Sequence, residues 1–422
     1  MKAQDPFYDI IVIGGGPGGM MAAGRAAELG AHVLLLEKNN GLGKKLLLTG
    51  GGRCNVTNEE YDNRKLLEKF KGKGKFLFSA FAQFSVKETL DFFHAEGMQT
   101  KVEAEERVFP QSDQSLSVWN VLASYMKKGH VTVRMNSVVS GFLMEKGRIS
   151  GVKLTNGERC SANAYILATG GMSRPETGST GEGFRWLEKI GHSVRKPDPA
   201  LVPIRTKESW THGLSGLSWA NAKVSTFQNN SLQEARIGKI LFTHVGLSGP
   251  LILNMSKDIG ELLKYGEVAI MIDFFPKEDQ GTLDRRVQEI FRTHQNKILK
   301  NVLGEIVPPV LAELLPEMLA LDASREINKI SREERLRITK FLKALPVTPT
   351  GLLGVEKAVV TSGGVALTEI DFKTMLSRKH ENLYIVGDVL DIDRPSGGYS
   401  LQLCWTTGHV AGTHAAEQTK KP

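Results

Sequence analysis

The sequence has few cysteines and no long apolar run, and both shortages limit what the protein can be. Its 422 residues include three cysteines, Cys54, Cys160 and Cys404. They form no CxxC pair and no metal-ligand spacing, which argues against a disulfide framework and against a zinc site. No apolar run approaches the roughly 18 residues that span a bilayer. The sequence therefore predicts a cytoplasmic protein with no bound metal and no membrane partner.

Strong charge bias, internal repeats and low-complexity segments are also missing. The chain carries 54 basic and 46 acidic residues, a net charge of +8, which permits anionic ligands without requiring them. One basic run, Lys69–Phe78, interleaves lysines with phenylalanines. Nucleic acid or an anionic substrate could bind there, but a solvated loop is the preferred interpretation. We therefore expect no nucleic-acid partner, and the sequence does not indicate an oligomeric state.

Glycine, in contrast, is abundant. The chain has 44 glycines in 422 residues, above the usual share of about 7%. They cluster in short loops and form no repeat, which excludes a collagen-like or linker character. Such clusters are typical of backbone that packs closely against a ligand.

The apolar patterns predict alternating strands and helices. Strands are predicted at Tyr8–Ile13, His32–Glu37, Val131–Met135, Ser137–Met144, Ile149–Leu154, Ala164–Ala168, Ala358–Val360 and Leu383–Val386. Helices are predicted at Met20–Leu29, Arg64–Phe70, Val86–Glu96, Leu116–Lys127, Glu182–Ile190 and Ser400–Glu417. The first strand, helix and second strand together form a βαβ unit.

The pattern changes in the middle of the chain. Residues from about 200 to 275 read as short strands with turns, and residues from about 278 to 345 read as helical with few glycines. Glycine-rich sequence returns from Gly351. The natural division is an α/β domain, residues 1–194 and 356–422, interrupted by an inserted domain, residues 195–355.

A dinucleotide-binding motif follows the first predicted strand. Gly14, Gly16 and Gly19 match GxGxxG, a helix follows them, and Glu37 ends the next strand. The first glycine permits a tight turn, the second lets a pyrophosphate approach the backbone, and the third lets helix and strand pack closely. The helix N-terminus favours phosphate, and Glu37 can accept hydrogen bonds from ribose hydroxyls. The motif in this context predicts a bound dinucleotide.

Two later segments indicate that the dinucleotide is a flavin. Ala168-Thr169-Gly170 ends one buried strand, and Gly387-Asp388 ends another. A carboxylate at such a strand end can bind the ribityl hydroxyls. The long helix that starts near Gly398 can direct its positive end at the flavin pyrimidine, which favours the reduced, anionic ring.

These segments, in this order, resemble the two-dinucleotide-binding-fold flavoproteins. The runs Gly41–Lys45, Thr49–Asn58, Phe242–Pro250, Thr361–Val365 and Gly397–Tyr399 narrow the resemblance to the HI0933-like, or BaiN-type, NAD(P)/FAD-dependent oxidoreductases of bacteria. The resemblance implies non-covalently bound FAD. It also implies a Rossmann-like FAD-binding domain with an inserted domain made of a β-barrel-like part and a helical part.

The motif and the resemblance together give a set of candidate cofactor-binding residues. The set is Gly14, Gly16, Pro17, Gly18, Gly19, Glu37, Lys38, Lys45, Gly52, Arg53, Cys54, Asn55, Ala168, Thr169, Gly170, Gly387, Asp388, Gly397, Gly398 and Tyr399. The chain departs from the family near its end, where Arg394-Pro395-Ser396 precedes Gly397 and Ser400 follows Tyr399. The family often has Gly-x-Thr-Gly-Gly-Tyr-Asn there.

Two members of this set have alternative interpretations. Cys54 lies near the position of the redox pair in flavin disulfide reductases, but no second cysteine lies within ten residues of it. A local dithiol relay is therefore excluded, and Cys54 is either a thiol facing the flavin or an inert buried residue. Arg53 either contacts the flavin or a phosphate, or forms a structural ion pair.

His244 and Arg394 are the candidate catalytic residues. Histidine can donate a proton near neutral pH, and arginine can bind a carboxylate in a bidentate manner. A hydrogen-bonded structural residue is the alternative for each, and it is the preferred interpretation. The run Thr180–Gly183 also resembles the fumarate reductase type of flavoprotein, which suggests hydride transfer at a carbon–carbon double bond, although a helix N-cap at Thr180 explains it as well.

Three functions remain open from the sequence. The first is an FAD-dependent oxidoreductase that transfers hydride between the flavin and a small organic substrate, unsaturated or carbonyl-containing. No second GxGxxG follows a strand, so NAD(P)H, if it is the reductant, docks transiently. The second is a flavin-dependent RNA-modifying protein, and the third is a non-catalytic flavin-binding regulator.

Overall fold

The structure, a computed structural model, describes residues 7–420. These residues form two compact units. The first contains the described residues up to Pro199 and from Ala358 onward, and the second contains Ala200–Lys357. Each unit has an apolar core of its own.

The N-terminal part of the first unit alternates strands and helices. Its strands are β1 (Tyr8–Ile13), β2 (Val33–Leu36), β3 (Thr57–Asn58), β4 (Thr100–Glu103), β5 (Arg107–Pro110), β6 (Thr132–Arg134), β7 (Val139–Glu145), β8 (Arg148–Leu154), β9 (Arg159–Cys160), β10 (Ala162–Leu167) and β11 (Val194–Ala200). Its helices are α1 (Pro17–Glu28), α2 (Lys44–Leu48), α3 (Asn63–Glu68), α4 (Gly74–Phe81), α5 (Val86–Ala95), α6 (Ser115–Lys128) and α7 (Glu182–Lys189).

The second unit combines an antiparallel sheet with helices. Its strands are β12 (Ile204–Thr206), β13 (Ser218–Gln228), β14 (Ser231–Thr243), β15 (Gly246–Ser248), β16 (Val268–Asp273), β17 (Leu345–Val347) and β18 (Pro349–Leu352). Its helices are α8 (Trp210–Gly213), α9 (Pro250–Leu263), α10 (Gln280–Thr293), α11 (Leu299–Leu303), α12 (Pro309–Met318) and α13 (Arg332–Lys343).

The chain then returns to the first unit and ends in a long helix. The elements of this last part are β19 (Val360–Val365), β20 (Ile370–Asp371), β21 (Leu376–Ser377), β22 (Leu383–Ile385) and α14 (Tyr399–Thr419).

A seven-stranded sheet forms the centre of the first unit. Its strand order is β20-β21-β22-β10-β1-β2-β6, and the five strands from β22 to β6 are parallel. Val12 in β1 is fully buried and pairs in register with Ile166 on one side and Leu35 on the other. Such continuous apolar strands are typical of a parallel sheet covered on both faces. This is the Rossmann-like arrangement that the sequence predicts.

The parallel sheet brings distant segments of the chain together. The carboxyl ends of its strands meet at one edge, which is where ligands bind in open α/β sheets. The turns that follow β1, β2, β10 and β22 therefore lie side by side. These turns begin at Gly14, Glu37, Ala168 and Val386.

Close packing of α1 against α14 fixes the start of the C-terminal helix at the same edge. A Cβ built at Gly408 would lie 2.5 Å from the carbonyl oxygen of Gly18, and one at Gly412 would lie 2.5 Å from that of Ala22. The two helix backbones are thus nearly in contact, which only glycine permits.

The second unit contains a seven-stranded antiparallel sheet of order β17-β16-β13-β14-β15-β12-β18. Its two outermost strands, β17 and β18, are separated in the chain by Thr348 alone. The two edge strands of the sheet therefore lie close together in space at Thr348. This confirms the expected barrel-like form. One expectation was wrong: the region predicted as strands and turns also contains α9, because Pro250 at the first position of a helix starts it after Gly249.

Candidate cofactor site

The glycines of the GxGxxG turn have three different surroundings. Gly14 has a φ of +105°, and a Cβ there would lie 2.6 Å from the carbonyl oxygen of Ala168. A Cβ at Gly19 would lie 1.9 Å from the carbonyl oxygen of Gly14. At Gly16, by contrast, nothing lies within 4 Å of a built Cβ. The turn thus requires glycine at 14 and 19 for backbone reasons, and keeps open space beside Gly16.

The Glu37 carboxylate lies directly under this turn. Its Oε2 accepts a hydrogen bond from the backbone N–H of Gly15 at 2.7 Å, and its Oε1 accepts one from that of Asn39 at 2.8 Å. The side chain is buried. Glu37 therefore ties the turn after β1 to the turn after β2, while each oxygen retains a second lone pair for a ligand hydroxyl.

A cleft of about 1220 Å³, its open mouth included, runs along this edge of the sheet. All of its lining residues belong to the first unit. Twelve predicted cofactor residues line it: Gly14, Gly16, Pro17, Gly18, Glu37, Lys38, Lys45, Ala168, Thr169, Gly170, Gly387 and Asp388.

The other eight predicted residues do not line the cleft. They are Gly19, Gly52, Arg53, Cys54, Asn55, Gly397, Gly398 and Tyr399. Gly398 serves packing, because a Cβ there would lie 2.3 Å from the carbonyl carbon of Thr57. With its amide oriented so that its polar atoms are paired, Asn55 accepts a hydrogen bond from the N–H of Gly398 at 3.0 Å. Asn55 and Gly398 thus fix the backbone at the start of α14 from outside the cleft.

Arg53 forms the ion pair that the sequence left as one of two possibilities. Its guanidinium donates to Asp113 at 2.8 Å, pairs with Glu103, and lies 4.3 Å from the ring centre of Phe109. These contacts hold Arg53 among protein groups at the surface of the β4–β5 hairpin.

Cys54 is a buried thiol in a left-handed backbone conformation. Its φ is +62°, and it has no exposed surface. Burial raises the pKa of Cys54 to about 12, despite a hydrogen bond with Thr49 that lowers it. The thiol therefore stays protonated near neutral pH, as the inert interpretation requires.

Charged side chains concentrate where β22 ends. The Asp388 side chain is 12% exposed and pairs with Arg394 and, at 3.4 Å, with the Nζ of Lys45. Burial by itself raises the pKa of Asp388, but the charges of Arg394 and Lys45 outweigh it and lower that pKa. Asp388 is therefore a carboxylate that can accept hydrogen bonds from a ligand in the cleft.

The two candidate catalytic residues lie in different surroundings. The Arg394 side chain is fully buried and donates to protein groups, so the structure gives it the structural role that the sequence left open. His244 lies in the exposed turn between β14 and β15 of the second unit. Its part in catalysis stays a prediction.

Thr180 does not cap α7. The N-cap is Gly181, which has no side-chain cap. Thr180 instead accepts a hydrogen bond from the Nζ of Lys38 at 2.7 Å, and the same ammonium pairs with Glu182 at 2.9 Å. The helix-cap interpretation was therefore wrong, and Thr180 and Glu182 together fix Lys38 at the rim of the cleft.

The sequence missed several lining residues. They include Ser137, Val139, Thr177, Gly178, Ser179, Trp186, Val359, Val360, Ser400, Leu401 and Cys404. Ser400 and Cys404 are four residues apart and share one face of α14. Their spacing could have been read from the predicted helix, whereas most of the others join the cleft through long-range packing.

The residues of the cleft fit an FAD molecule. Gly16 leaves space beside the helix N-terminus for a pyrophosphate, and Glu37 and Asp388 supply acceptors for sugar and ribityl hydroxyls. The hydroxyl of Thr169, which also lines the cleft, is buried and has no hydrogen-bond partner among residues 7–420. A Cβ built at Gly183 would lie 2.2 Å from this oxygen, so the hydroxyl packs against α7 and the fit to FAD depends on the turn at Gly16 and the two carboxylates.

Residues 7–420 contain neither a cluster of metal-ligating side chains nor a membrane-spanning helix. In the part of the chain that the structure describes, no three His, Cys, Asp or Glu side chains come together to hold a metal ion. Among the helices of the same residues, none has the length and apolar character needed to cross a bilayer.

Comparison with known proteins gives the family and the relatives of this chain. The HI0933-like protein Rossmann domain model matches residues 8–414. The chain is 31% identical to the 3-dehydro-bile acid delta(4,6)-reductase of Clostridium scindens over 418 residues, 96% of this chain and 98% of that one. It is 30% identical to the ribosomal RNA dihydrouridine synthase of Escherichia coli over 402 residues, 95% and 96% of the two chains.

A solved structure shows the same fold. The open conformation of a flavocytochrome c3 fumarate reductase superposes with a TM-score of 0.56 at 16% identity, over 99% of this chain and 80% of that one. At this identity the likeness concerns the fold alone.

Proposed function

The chain belongs to the HI0933-like family of FAD-dependent oxidoreductases, and we propose that it reduces a carbon–carbon double bond conjugated to a carbonyl group in a small organic substrate. Bound FAD supplies the hydride chemistry of such a reaction. The observation that carries the proposal is the 31% identity to a delta(4,6)-reductase, which extends over 96% of this chain. The name of that relative describes a 3-oxo compound, in which a double bond at carbon 4 is conjugated to the carbonyl.

The cleft supports the proposal through the groups that hold the cofactor. We assign the pyrophosphate to the turn at Gly16, the ribose to Glu37 and the ribityl chain to Asp388. We also assign the flavin pyrimidine to the first turn of α14, whose Ser400 and Leu401 line the cleft. The positive end of that helix dipole favours a reduced, negatively charged ring.

NAD(P)H is the proposed reductant and docks transiently. The sequence contains one GxGxxG turn after a strand, and the FAD takes that turn. His244 remains our candidate for the proton that must reach the carbon next to the carbonyl. Histidine is the side chain that most often transfers protons in enzyme active sites.

The proposal is tested by anaerobic flavin reduction followed by substrate-dependent reoxidation. NADH and NADPH are each mixed with the protein, and the reduced flavin is then mixed with cyclic enones, dienones or unsaturated acids. We expect reoxidation by a conjugated dienone, with a product two mass units heavier. The saturated ketone of the same skeleton is the matched control and should leave the flavin reduced. Failure of every conjugated acceptor would refute the proposal.

A second candidate is reduction of uridine in RNA, because the Escherichia coli relative is a ribosomal RNA dihydrouridine synthase. The 5,6 double bond of uracil is also conjugated to a carbonyl, so the chemistry is the same and the substrate differs. Incubation of the reduced protein with ribosomal RNA, followed by nucleoside analysis, separates the two. Dihydrouridine formation without turnover of any small enone would favour RNA.

A further inference from the structure

Arg394 is a buried cation with three protein partners at one end of the cleft. Its Nε donates to the hydroxyl of Ser400 at 2.9 Å, and its Nη1 donates to the carbonyl of Ile392 at 2.7 Å. Its Nη2 donates to Asp388. The side chain has no exposed surface. Ser400 and Asp388 line the cleft, whereas Arg394 lies behind them.

The bond from Arg394 determines which way the Ser400 hydroxyl can act. A guanidinium only donates, so Ser400 Oγ must accept from it. The hydroxyl proton of Ser400 then points elsewhere. The hydrogen bonds of residues 7–420 include no protein acceptor for that proton. Ser400 is therefore held as a free hydrogen-bond donor on the wall of the cleft.

Asp388, the other partner of Arg394 on the cleft, has the opposite hydrogen-bonding role. Asp388 is a carboxylate and can only accept hydrogen bonds. One arginine therefore holds a donor, Ser400, and an acceptor, Asp388, side by side on the cleft. Such a pair can distinguish the acceptor atoms of a flavin ring from the hydroxyl groups of a ribityl chain.

We propose that Arg394 is a positioning residue that makes Ser400 donate a hydrogen bond to the pyrimidine end of the bound flavin. Ser400 lies in the first turn of α14, where the helix dipole is positive. A donor there binds the reduced ring more strongly than the oxidised ring, because reduction adds negative charge to the acceptor. Ser400 thus raises the reduction potential of the flavin. The inference rests on the FAD of the proposed function and not on its substrate.

The test measures the midpoint potential of the flavin by anaerobic titration against a reference dye. We expect Ser400→Ala to lower the ratio of reduced to oxidised flavin about tenfold at a fixed potential, which corresponds to about 30 mV for a two-electron couple. Ser400→Thr keeps the hydroxyl and should keep the wild-type potential. Arg394→Lys should shift the potential in the same direction as Ser400→Ala, and the double variant should add little.

The chain offers a matched control on the same helix. Thr413 accepts a hydrogen bond from the Nε of Arg25 at 2.9 Å, and Arg25 also pairs with Glu28. This arrangement repeats that of Arg394, Ser400 and Asp388, but Thr413 does not line the cleft. It lies about 20 Å further along the helix. Thr413→Ala should leave the potential unchanged.

Several outcomes would overturn the inference. One is a Ser400→Ala variant with the wild-type potential, and another is a Ser400→Thr variant shifted as far as Ser400→Ala. If Ser400→Ala loses FAD while Ser400→Thr keeps it, the hydroxyl contact is supported. Loss of FAD from both would contradict it, because packing would then explain the effect. Absence of FAD from the wild type would instead refute the proposed function.

Discussion

Gly19 lies against the carbonyl group of Gly14 so closely that a Cβ at Gly19 would be 1.9 Å from that oxygen. Gly16, between them in the same turn, faces open space. The same residue type therefore serves two purposes within six residues. One glycine lets α1 pack on β1, and the other leaves room for a phosphate.

The two glycines should consequently respond differently to alanine. Gly19→Ala forces a backbone shift and should destabilise the protein by roughly 1–3 kcal/mol or more. Gly16 has a φ of −79°, which alanine adopts readily. Gly16→Ala should fold normally but bind FAD weakly, because its methyl group enters the cleft. Urea unfolding of the apoprotein and FAD titration measure the two effects, and the reverse pattern would contradict this assignment.

Removing the Glu37 carboxylate should weaken FAD binding. The side chain holds the N–H groups of Gly15 and Asn39 and is our ribose acceptor. Glu37→Ala should cost roughly 1.5–3 kcal/mol of binding free energy, the range for hydrogen bonds to a charged group. Glu37→Arg should cost more. Glu381→Ala, at an exposed ion pair with Arg148, is the control. Unchanged FAD affinity in both Glu37 variants would mean that the ribose is held elsewhere.

Cys54 should be unreactive in the folded protein. Burial holds its pKa at about 12, so almost no thiolate forms near neutral pH. Iodoacetamide at about pH 8 should label Cys54 only after unfolding. The native protein should also show no flavin attached at this residue by intact mass. Labelling of the native thiol at the rate of a free cysteine would disprove its burial.

Acid should destabilise the fold through His409. Burial lowers the pKa of His409 to about 4, and its ring stacks on Phe84 at 4.1 Å between centroids. The folded protein keeps this imidazole neutral, whereas the unfolded chain protonates it below about 6.5. Its stabilising contribution is therefore complete above about pH 6.5 and is lost as the pH falls through about 4.

His409→Gln should remove part of that acid sensitivity. Urea unfolding between about pH 7 and pH 4 measures it as the change in unfolding free energy with pH. His94→Gln, at an exposed position beside Thr100, is the control and should keep the wild-type slope. If the His409 variant keeps the full slope, the imidazole does not carry the effect.

Local sequence patterns predicted the strands and turns that form the site. Tyr8–Ile13 is a strand at the predicted bounds, because a buried parallel strand is apolar throughout. The same patterns predicted the positions of the glycine turn, Glu37 and Asp388, because each comes at the end of such a strand. Nothing local predicted α4 or α9, which interrupt segments expected to be loops or strands.

The partners of charged residues could not be predicted in the same way. Arg394 and Asp388 are six residues apart and pair with each other, but the contact of Lys45 with Asp388 spans 343 positions. The ion pair of Arg53 with Glu103 spans 50 positions and forms only when the β4–β5 hairpin is in place. Such contacts depend on the packed fold, which no short pattern contains.

Every role assigned to the residues of the cleft requires that the cleft of the first unit holds FAD. The most direct measurement is the flavin released when the purified protein is denatured, identified by chromatography and counted per chain. We expect one FAD per chain after reconstitution, released completely on denaturation, and a much lower FAD content in the Gly16→Ala variant. Release of FMN, or no flavin after reconstitution with FAD, would show that the cleft is not an FAD site.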